Sequence, residues 1–584
     1  MRDAGVAACI VPSADPHLSE YLPGHWQARR WLSGFDGSAG TLVVTGDFAG
    51  LWTDSRYFEQ AEQQLAGSGV TLMRLRVPHA AEHLDWLLEH LHEGDSVAVA
   101  GDSLSLAAAR GLHARLDATG ARLRTDLDLP GAAWNDRPPL PRQPVTAQDP
   151  AWSDGSRAQR LVALRQAMSA AKASHHLLSS LDDIAWITGL RGSDVEYNPV
   201  FLAHLLVDAG EATLFVDPAK LDVKLVAALN ADGICVRDYG EVAATLAGLP
   251  ADARVMLDPA RVVVDVAGAL PEGVARIERA NPSTALKAIK SAAELEHIRA
   301  TMREDGAALV QGMREIERRL RAGERVTELD VAEILRAKRS QRPAFVSESF
   351  GTIAGYMANG ALPHYSATPE HHATLAVDGL LLVDSGGQYQ GGTTDITRMW
   401  AFGETTAEQR RDCTLVLKGM IALSRARFPA GASGPQLDAL ARAPIWAEAG
   451  EYGHGTGHGV GYFLNVHEGP HGIRAPTPGG ALVPLEPGMI TSIEPGLYKP
   501  GRHGVRHENL VAVRPWKDTE FGSFHTFETL TMCPIDTRAL EPGLLDEAER
   551  AWLIDYHRRV LEALAPLLDD ADDRAWLEAR CAPV

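Results

Sequence analysis

Cysteine is scarce in this chain. Cys9, Cys235, Cys413, Cys533 and Cys581 are five of 584 residues, odd in number and scattered, with no CxxC pair. That argues against a disulfide framework and a thiolate metal site, and it fits a reducing compartment. Positive charge is also short: 56 Lys and Arg against 76 Asp and Glu leave a net charge of −20. Nucleic acid and anionic membrane are therefore poor partners. No apolar run is long enough to span a bilayer. The apolar stretch Gly5 to Val11 is short, follows Asp3 and runs into Pro12, which is not the form of a signal peptide. The expectation is a soluble, cytoplasmic protein. What is present is ordinary for a globular chain, 45% hydrophobic and 23% charged. The length exceeds what one core organises, so several domains are expected.

Residues 1–128 read as mixed α/β. Ala8 to Val11 and Gly40 to Thr45 are strand-like; Ser55 to Leu65 and Ala80 to Leu91 are helix-like. Pro130, Pro138, Pro139, Pro141, Pro144 and Pro150 then crowd a stretch, 129–157, that reads as a linker unable to sustain helix or central strand. A second α/β segment, 158–285, echoes the first. Trp31 to Ser38 resembles Trp186 to Ser193, and Leu51-Trp52-Thr53-Asp54 resembles Leu214-Phe215-Val216-Asp217. An echo at so long a period suggests two related domains. From about 286 the pattern becomes α+β. Helix starts of capping form stand at Ser291, Thr327 and Thr405 (Thr405-Thr406-Ala407-Glu408), the last heading a helix expected to reach Arg427. The tail beyond 535 carries amphipathic helical patterns, with Trp552, Leu553, Tyr556 and Leu564 as packing residues.

The chemistry lies in this third segment. Asp384 and Asp395 flank two glycine pairs, Gly386/Gly387 and Gly391/Gly392, which invite the chain to reverse near Tyr389 and Gln390. In such a hairpin the aspartates are expected to face one another across the strands, about 5 Å apart. Glu494 and Glu508 flank Pro500 to Gly504 in the same manner, with Arg506, Glu508 and Leu510 on one strand face by alternation. His454 and His458 have the spacing of a helical zinc pair, but Gly453, Gly455, Gly457, Gly459 and Gly461 disfavour helix. They fit extended backbone, with His458 the expected ligand and His454 and His467 nearby. Any one of these residues alone would read as a turn, surface or core residue. Together, four carboxylates and one imidazole can hold two divalent cations, and a close cation pair can activate water for hydrolysis. An oxygen-rich set with one imidazole favours Mn²⁺, Zn²⁺ or Co²⁺.

These segments, with Trp31 to Gly40, Leu51 to Phe58, Arg191 to Phe201, Asn359 to Tyr365 and Val466 to Pro470, resemble the three-domain Xaa-Pro aminopeptidases (aminopeptidase P) of the pita-bread metallopeptidase family. The resemblance implies two related, creatinase-like α/β domains, N-terminal and middle, followed by an α+β pita-bread catalytic domain (286–584) with a C-terminal helical extension. It implies metal ligands Asp384, Asp395, His458, Glu494 and Glu508, with Glu494 taking the water proton. It implies that His364 and His467 contact substrate around the scissile bond, that His454 and Arg506 lie near the proline pocket, and that Arg56 contacts substrate. It implies Mn²⁺ as the usual ion, a homodimer, and peptides beginning Xaa-Pro as substrates. Ile493 and His507 stand where relatives carry a polar and an apolar residue respectively, and both are expected to point away from the metals. A prolidase restricted to dipeptides is the alternative enzyme. A metal-free hydrolase or an inactive peptide-binding module is disfavoured because all five ligand types are present.

Overall fold

The structure, a computed structural model, describes residues 1–77, 80–476 and 482–583. The chain forms two compact units, 1–148 with 155–284, and 149–154 with 285–584.

The first unit contains two six-stranded sheets built to one plan. In spatial order the first runs Thr71–Arg74, Ala49–Thr53, Thr41–Val44, Ala8–Pro12, Ser96–Ala98 and Arg122–Arg124. The second runs Ile234–Arg237, Ala212–Phe215, His204–Asp208, His175–Leu178, Arg254–Leu257 and Ala275–Glu278. In both, the two central pairings on one side are antiparallel and the remaining three are parallel. The sequence echo falls on matching parts. Helices Ala28–Ser33 and Leu181–Thr188 both end on a left-handed glycine, Gly34 (φ 76°) and Gly189 (φ 62°), a conformation that costs glycine little. Ala8–Pro12 is apolar throughout because both its faces are covered. Ala8 and Ile10 enter one core with Val43 and Trp52, while Cys9 and Val11 enter another with Leu42 and Leu51.

The proline-rich stretch departs from expectation. Leu129–Ala133 is a short helix with Pro130 in its first turn, where the missing N–H would have been unpaired anyway, and Asp128 caps Gly131. Thr146–Ala147 pairs with Leu190–Arg191. Residues 149–154 cluster with the second unit, where the Trp152 carbonyl accepts from Tyr462 Oη at 2.8 Å.

In the second unit the Ser291 capping box starts a 30-residue helix, Ala292–Arg321. Capping boxes at Thr327 and Thr406 start Glu328–Arg339 and Ala407–Ser424; the second lies one residue beyond the expected Thr405, with Gln409 rather than Glu408 closing the box. The last helix stops short of the expected Arg427, which instead opens the strand Arg427–Pro429. The long helix buries Leu309, Met313, Ile316 and Leu320 in one continuous core with Val331 and Leu335 of the next helix and Leu381 and Val383 of the sheet beyond. Gly306 permits the Met532 carbonyl to pass, since a Cβ there would stand 1.9 Å from that oxygen. Fully buried Arg339 grips Asp305 through Nε and Nη2 (2.7 and 3.2 Å), and Tyr389 Oη donates to the same carboxylate (2.9 Å). Two helices and the tip of the Asp384 hairpin are thereby tied at one point. Among the described residues no helix is long and apolar enough to cross a membrane.

Breaking a buried ion pair on one side leaves a charge without compensation, at a cost of about 3–5 kcal/mol, whereas replacing both partners by apolar groups costs far less. Arg339→Met should lower the unfolding midpoint of the second unit, and Asp305→Leu/Arg339→Met should recover much of that loss. Denaturant melts followed by fluorescence check this; a single variant as stable as the parent contradicts it.

Candidate metal centre

The strands Leu380–Ser385 and Ile396–Ala401 pair antiparallel, and Gln388 pairs Thr393 in the same register, so the chain reverses at Gln390–Gly391, one residue beyond the expected Tyr389 and Gln390. The register sets Asp384 opposite Thr397, not opposite Asp395. The expected direct facing of the two aspartates is thus corrected to a diagonal one. Asp395 sits two residues from Thr397, just outside the strand, because the chain reverses one residue later than expected. The glutamate hairpin matches its expectation. Gly496 pairs Arg506 on one side and Ile493 pairs Asn509 on the other. The register is unbroken across the gap, and Glu494 and Glu508 are the residues that oppose each other within it. The expected alternation of Arg506, Glu508 and Leu510 agrees with the packing: Val505, Val511 and Val513 enter the main core, while Leu510 turns the other way, toward Leu295, Ile298 and Met302. Ile493 is buried in the main core.

His458 lies on the strand Gly457–Gly459. Its Nδ1 faces the Gly459 carbonyl at 3.0 Å, which can only accept, so that nitrogen carries the proton. Nε2 is left facing Asp395 Oδ2 and Glu494 Oε1, each at 3.4 Å. One ligand atom from each of Asp395, His458 and Glu508 lies within 4.8 Å of the others. Asp384 Oδ2 is 2.6 Å from Arg506 Nη2, while its Oδ1 is buried without a hydrogen-bond partner. Four carboxylates thus converge with one guanidinium against them. Burial, then the neighbouring acids, pushes Glu508 well above the usual carboxylate range. Burial opposed by Arg506 leaves Asp384 raised to about 6, and burial raises Glu494 as well. Burial alone would lower His458, but Asp395 and Glu494 push it up to about 9. Left to its own groups, the cluster draws protons. An orphaned carboxylate oxygen, an aimed imidazole nitrogen and uncompensated negative charge are the donor chemistry that suits divalent cations.

Residues that sequence reasoning passed over hold this arrangement. Thr397 Oγ1 donates to Glu508 Oε2 (2.9 Å) and accepts from Arg506 Nε (3.1 Å). Ser492 Oγ accepts from the His458 N–H (3.0 Å) and donates to Glu494 Oε1 (3.2 Å). Tyr498 Oη accepts from Arg506 Nη1 and meets His454 Nε2, both at 2.7 Å. Arg398 is buried against the Glu508 carbonyl (2.6 Å), Asn509 Oδ1 (2.8 Å) and Tyr556 Oη (2.7 Å). Tyr556 was expected only to pack; it also fixes the backbone of Glu508 through that arginine. The His467 ring stands edge-on to His458 at 4.3 Å, and the next residue, Glu468, is buried against Lys290 (2.5 Å) and Lys287 (3.2 Å). His364 lies half-buried in the loop after the 3₁₀ turn Met357–Ala361. That turn packs on Gly504, two residues from Arg506. Arg56 lies in the first unit, paired with Asp54 at 2.7 Å. His507 is fully buried and neither of its ring nitrogens has a hydrogen-bond partner.

Residues 300–515 match the family described as Metallopeptidase family M24, and 523–584 match its C-terminal region. Residues 1–125 and 136–294 each match a Creatinase/Prolidase N-terminal domain, which accounts for the repeated sheet. A probable Xaa-Pro aminopeptidase P of Laccaria bicolor is 39% identical over 100% of this chain and 92% of its own. The chain belongs to the M24 metallopeptidases, among the Xaa-Pro aminopeptidases P. The solved X-prolyl aminopeptidase of Caenorhabditis elegans, described as a cytosolic enzyme with a di-nuclear active site, superposes on this M24 chain with a TM-score of 0.94. It is 34% identical, over 99% of this chain and 95% of that one. An Xaa-Pro dipeptidase from Bacillus anthracis shares the M24 fold at a TM-score of 0.50 and 23% identity, covering 65% of this chain and 99% of its own.

A ligand that binds only the folded state stabilises it by about 2.7 kcal/mol at a concentration of 100 Kd. Mn²⁺ added to chelator-stripped protein should therefore raise its thermal midpoint, and Asp395→Asn should abolish most of that rise. Differential scanning calorimetry checks both; a midpoint indifferent to Mn²⁺ contradicts the metal centre.

Proposed function

We propose that this M24 enzyme removes the N-terminal residue from peptides with proline in second position, with Asp384, Asp395, His458, Glu494 and Glu508 holding two divalent cations. The observation that carries the reading is the convergence of these five side chains in a chain that aligns end to end with Xaa-Pro aminopeptidases P. Mn²⁺ is the favoured ion, with Zn²⁺ and Co²⁺ as alternatives. When bound, the cations supply Lewis-acid polarisation of the scissile carbonyl and a lowered water pKa.

The remaining chemistry belongs to the protein. Glu494 is reached by solvent (18% side-chain exposure) and steadied at one oxygen by Ser492. It is the group to accept a water proton and return it to the departing proline nitrogen. That nitrogen is a tertiary amide in the substrate and offers no N–H, so recognition cannot use a strand-like donor. A pocket for the ring must replace it, and His454, Tyr498 and Arg506 form a connected polar wall suited to that pocket. His467, beside His458, and His364 are proposed to donate to the oxygen that gains charge. Arg56 is proposed as a substrate contact on the resemblance alone. The dipeptidase likeness leaves a large part of this chain without a counterpart, which favours the aminopeptidase over a prolidase. Cytoplasmic location, a homodimer, and domains at 1–128, 158–285 and 286–584, with the 129–157 stretch between the first two, complete the proposal; the likeness to a cytosolic enzyme supports the first of these.

The test is hydrolysis of Xaa-Pro-Xaa peptides of graded length by the Mn²⁺-loaded enzyme, with bound metal measured alongside. Tripeptides and longer should be cut, and Asp395→Asn should lower kcat by more than about 100-fold, beyond the cost of losing a mere supporting partner of a ligand. Cleavage confined to Xaa-Pro dipeptides would make it a prolidase. Near-normal turnover by the variant would remove Asp395 from the ligand set.

A further inference from the structure

Glu328 is fully buried and has no Lys or Arg within ion-pair distance among the described residues. Its charge is balanced by neutral donors. Oε1 accepts from the Tyr356 N–H (2.7 Å) and Asn359 Nδ2 (3.0 Å). Oε2 accepts from Asn359 Nδ2 (3.0 Å), Tyr365 Oη (2.7 Å) and the Ala373 N–H (2.6 Å). Asn359 Nδ2 also reaches Tyr365 Oη at 3.0 Å, and the Glu328 N–H donates to the Ala373 carbonyl at 3.1 Å. The carboxylate lies at the first position of the helix Glu328–Arg339, where the helix N-terminus favours negative charge.

All these donors belong to one segment, 356–373, which carries His364. Tyr356 precedes the loop, Asn359 lies within its 3₁₀ turn, Tyr365 directly follows His364, and Ala373 closes the loop. One acidic side chain thus fixes the segment before, beside and after the histidine. The turn it anchors is the one that packs on Gly504, where a Cβ would stand 1.7 Å from the Gly360 carbonyl oxygen, near Arg506. An irregular connection of this length does not hold one conformation without such a centre.

We propose that Glu328 is a positioning residue for the peptidase reaction, acting through His364 by anchoring the loop that presents it. The proposal rests on the functional reading above. Gln is the informative replacement: whichever way its amide is turned, its NH₂ meets at least two donors where an acceptor is required. Misplacing a substrate-contacting group by about 1 Å can cost on the order of 100-fold in rate.

The experiment is a double-mutant cycle on Mn²⁺-loaded enzyme with an Xaa-Pro-Xaa tripeptide, measuring kcat and KM separately along with bound metal. Glu328→Gln should lower kcat about 10- to 100-fold with bound Mn²⁺ unchanged. In the His364→Ala background the same change should cost no more than about 2-fold further, because coupled residues are not additive. Tyr365→Phe removes only one donor and should show a smaller loss with the same dependence on His364. It keeps the cycle measurable if Glu328→Gln folds poorly. Losses that multiply in the double variants would overturn the proposal, as would a His364→Ala enzyme with full activity. A parent enzyme that cuts no Xaa-Pro peptide would overturn the functional reading itself, and this proposal with it.

Discussion

Four largely buried carboxylates held together against a single guanidinium are the constraint that shapes the second unit. Isolated, such a group would neutralise by taking up protons, and the upward drift of Glu508, Glu494, Asp384 and His458 is that tendency. The fold resists collapse of the cluster by supporting each member from behind. Thr397 joins Glu508 to Arg506, Ser492 joins Glu494 to the His458 backbone, and the Gly459 carbonyl sets the His458 tautomer. Each support is a small polar group on a strand already fixed by its neighbours, so orienting the ligands costs little further entropy.

Local pattern determined which parts were legible beforehand. The capping boxes at Ser291 and Thr327 and the Glu494/Glu508 facing follow from residues a few positions apart, while the third cap and the glycine-flanked turn fall one residue from where local pattern put them. The repeated sheet could be read because the glycine-terminated helix and its neighbouring strand recur with their side chains. The two-residue offset of Asp395 could not be read. It depends on which two residues form the turn, and the glycine pairs on either side of Tyr389 and Gln390 allow the reversal at more than one position.

The supporting residues were illegible for another reason. Threonine, serine, tyrosine and glutamate are common everywhere, and their partners here lie far away in the chain: Arg506 from Thr397, Tyr556 from Arg398, Tyr365 from Glu328. Nothing in a window of ten residues distinguishes Glu328 from any acid in the first turn of a helix. Its four donor groups are brought to it only after the helix and the 356–373 segment have met. Likewise Leu129–Ala133 forms in a proline-dense stretch because one proline falls where its missing N–H does no harm.

The grip of Arg398 on the Glu508 carbonyl has a consequence for the order in which the protein matures. That guanidinium is satisfied on its far side by Tyr556 and by the carbonyl of Cys533, both of which leave the ribosome after every member of the acidic cluster. A nascent polypeptide that has emerged only through Glu508 carries all the donors but lacks the clasp that fixes one of them. The clasp is thereby completed only when the helix Glu547–Leu564, which carries Tyr556, has been made.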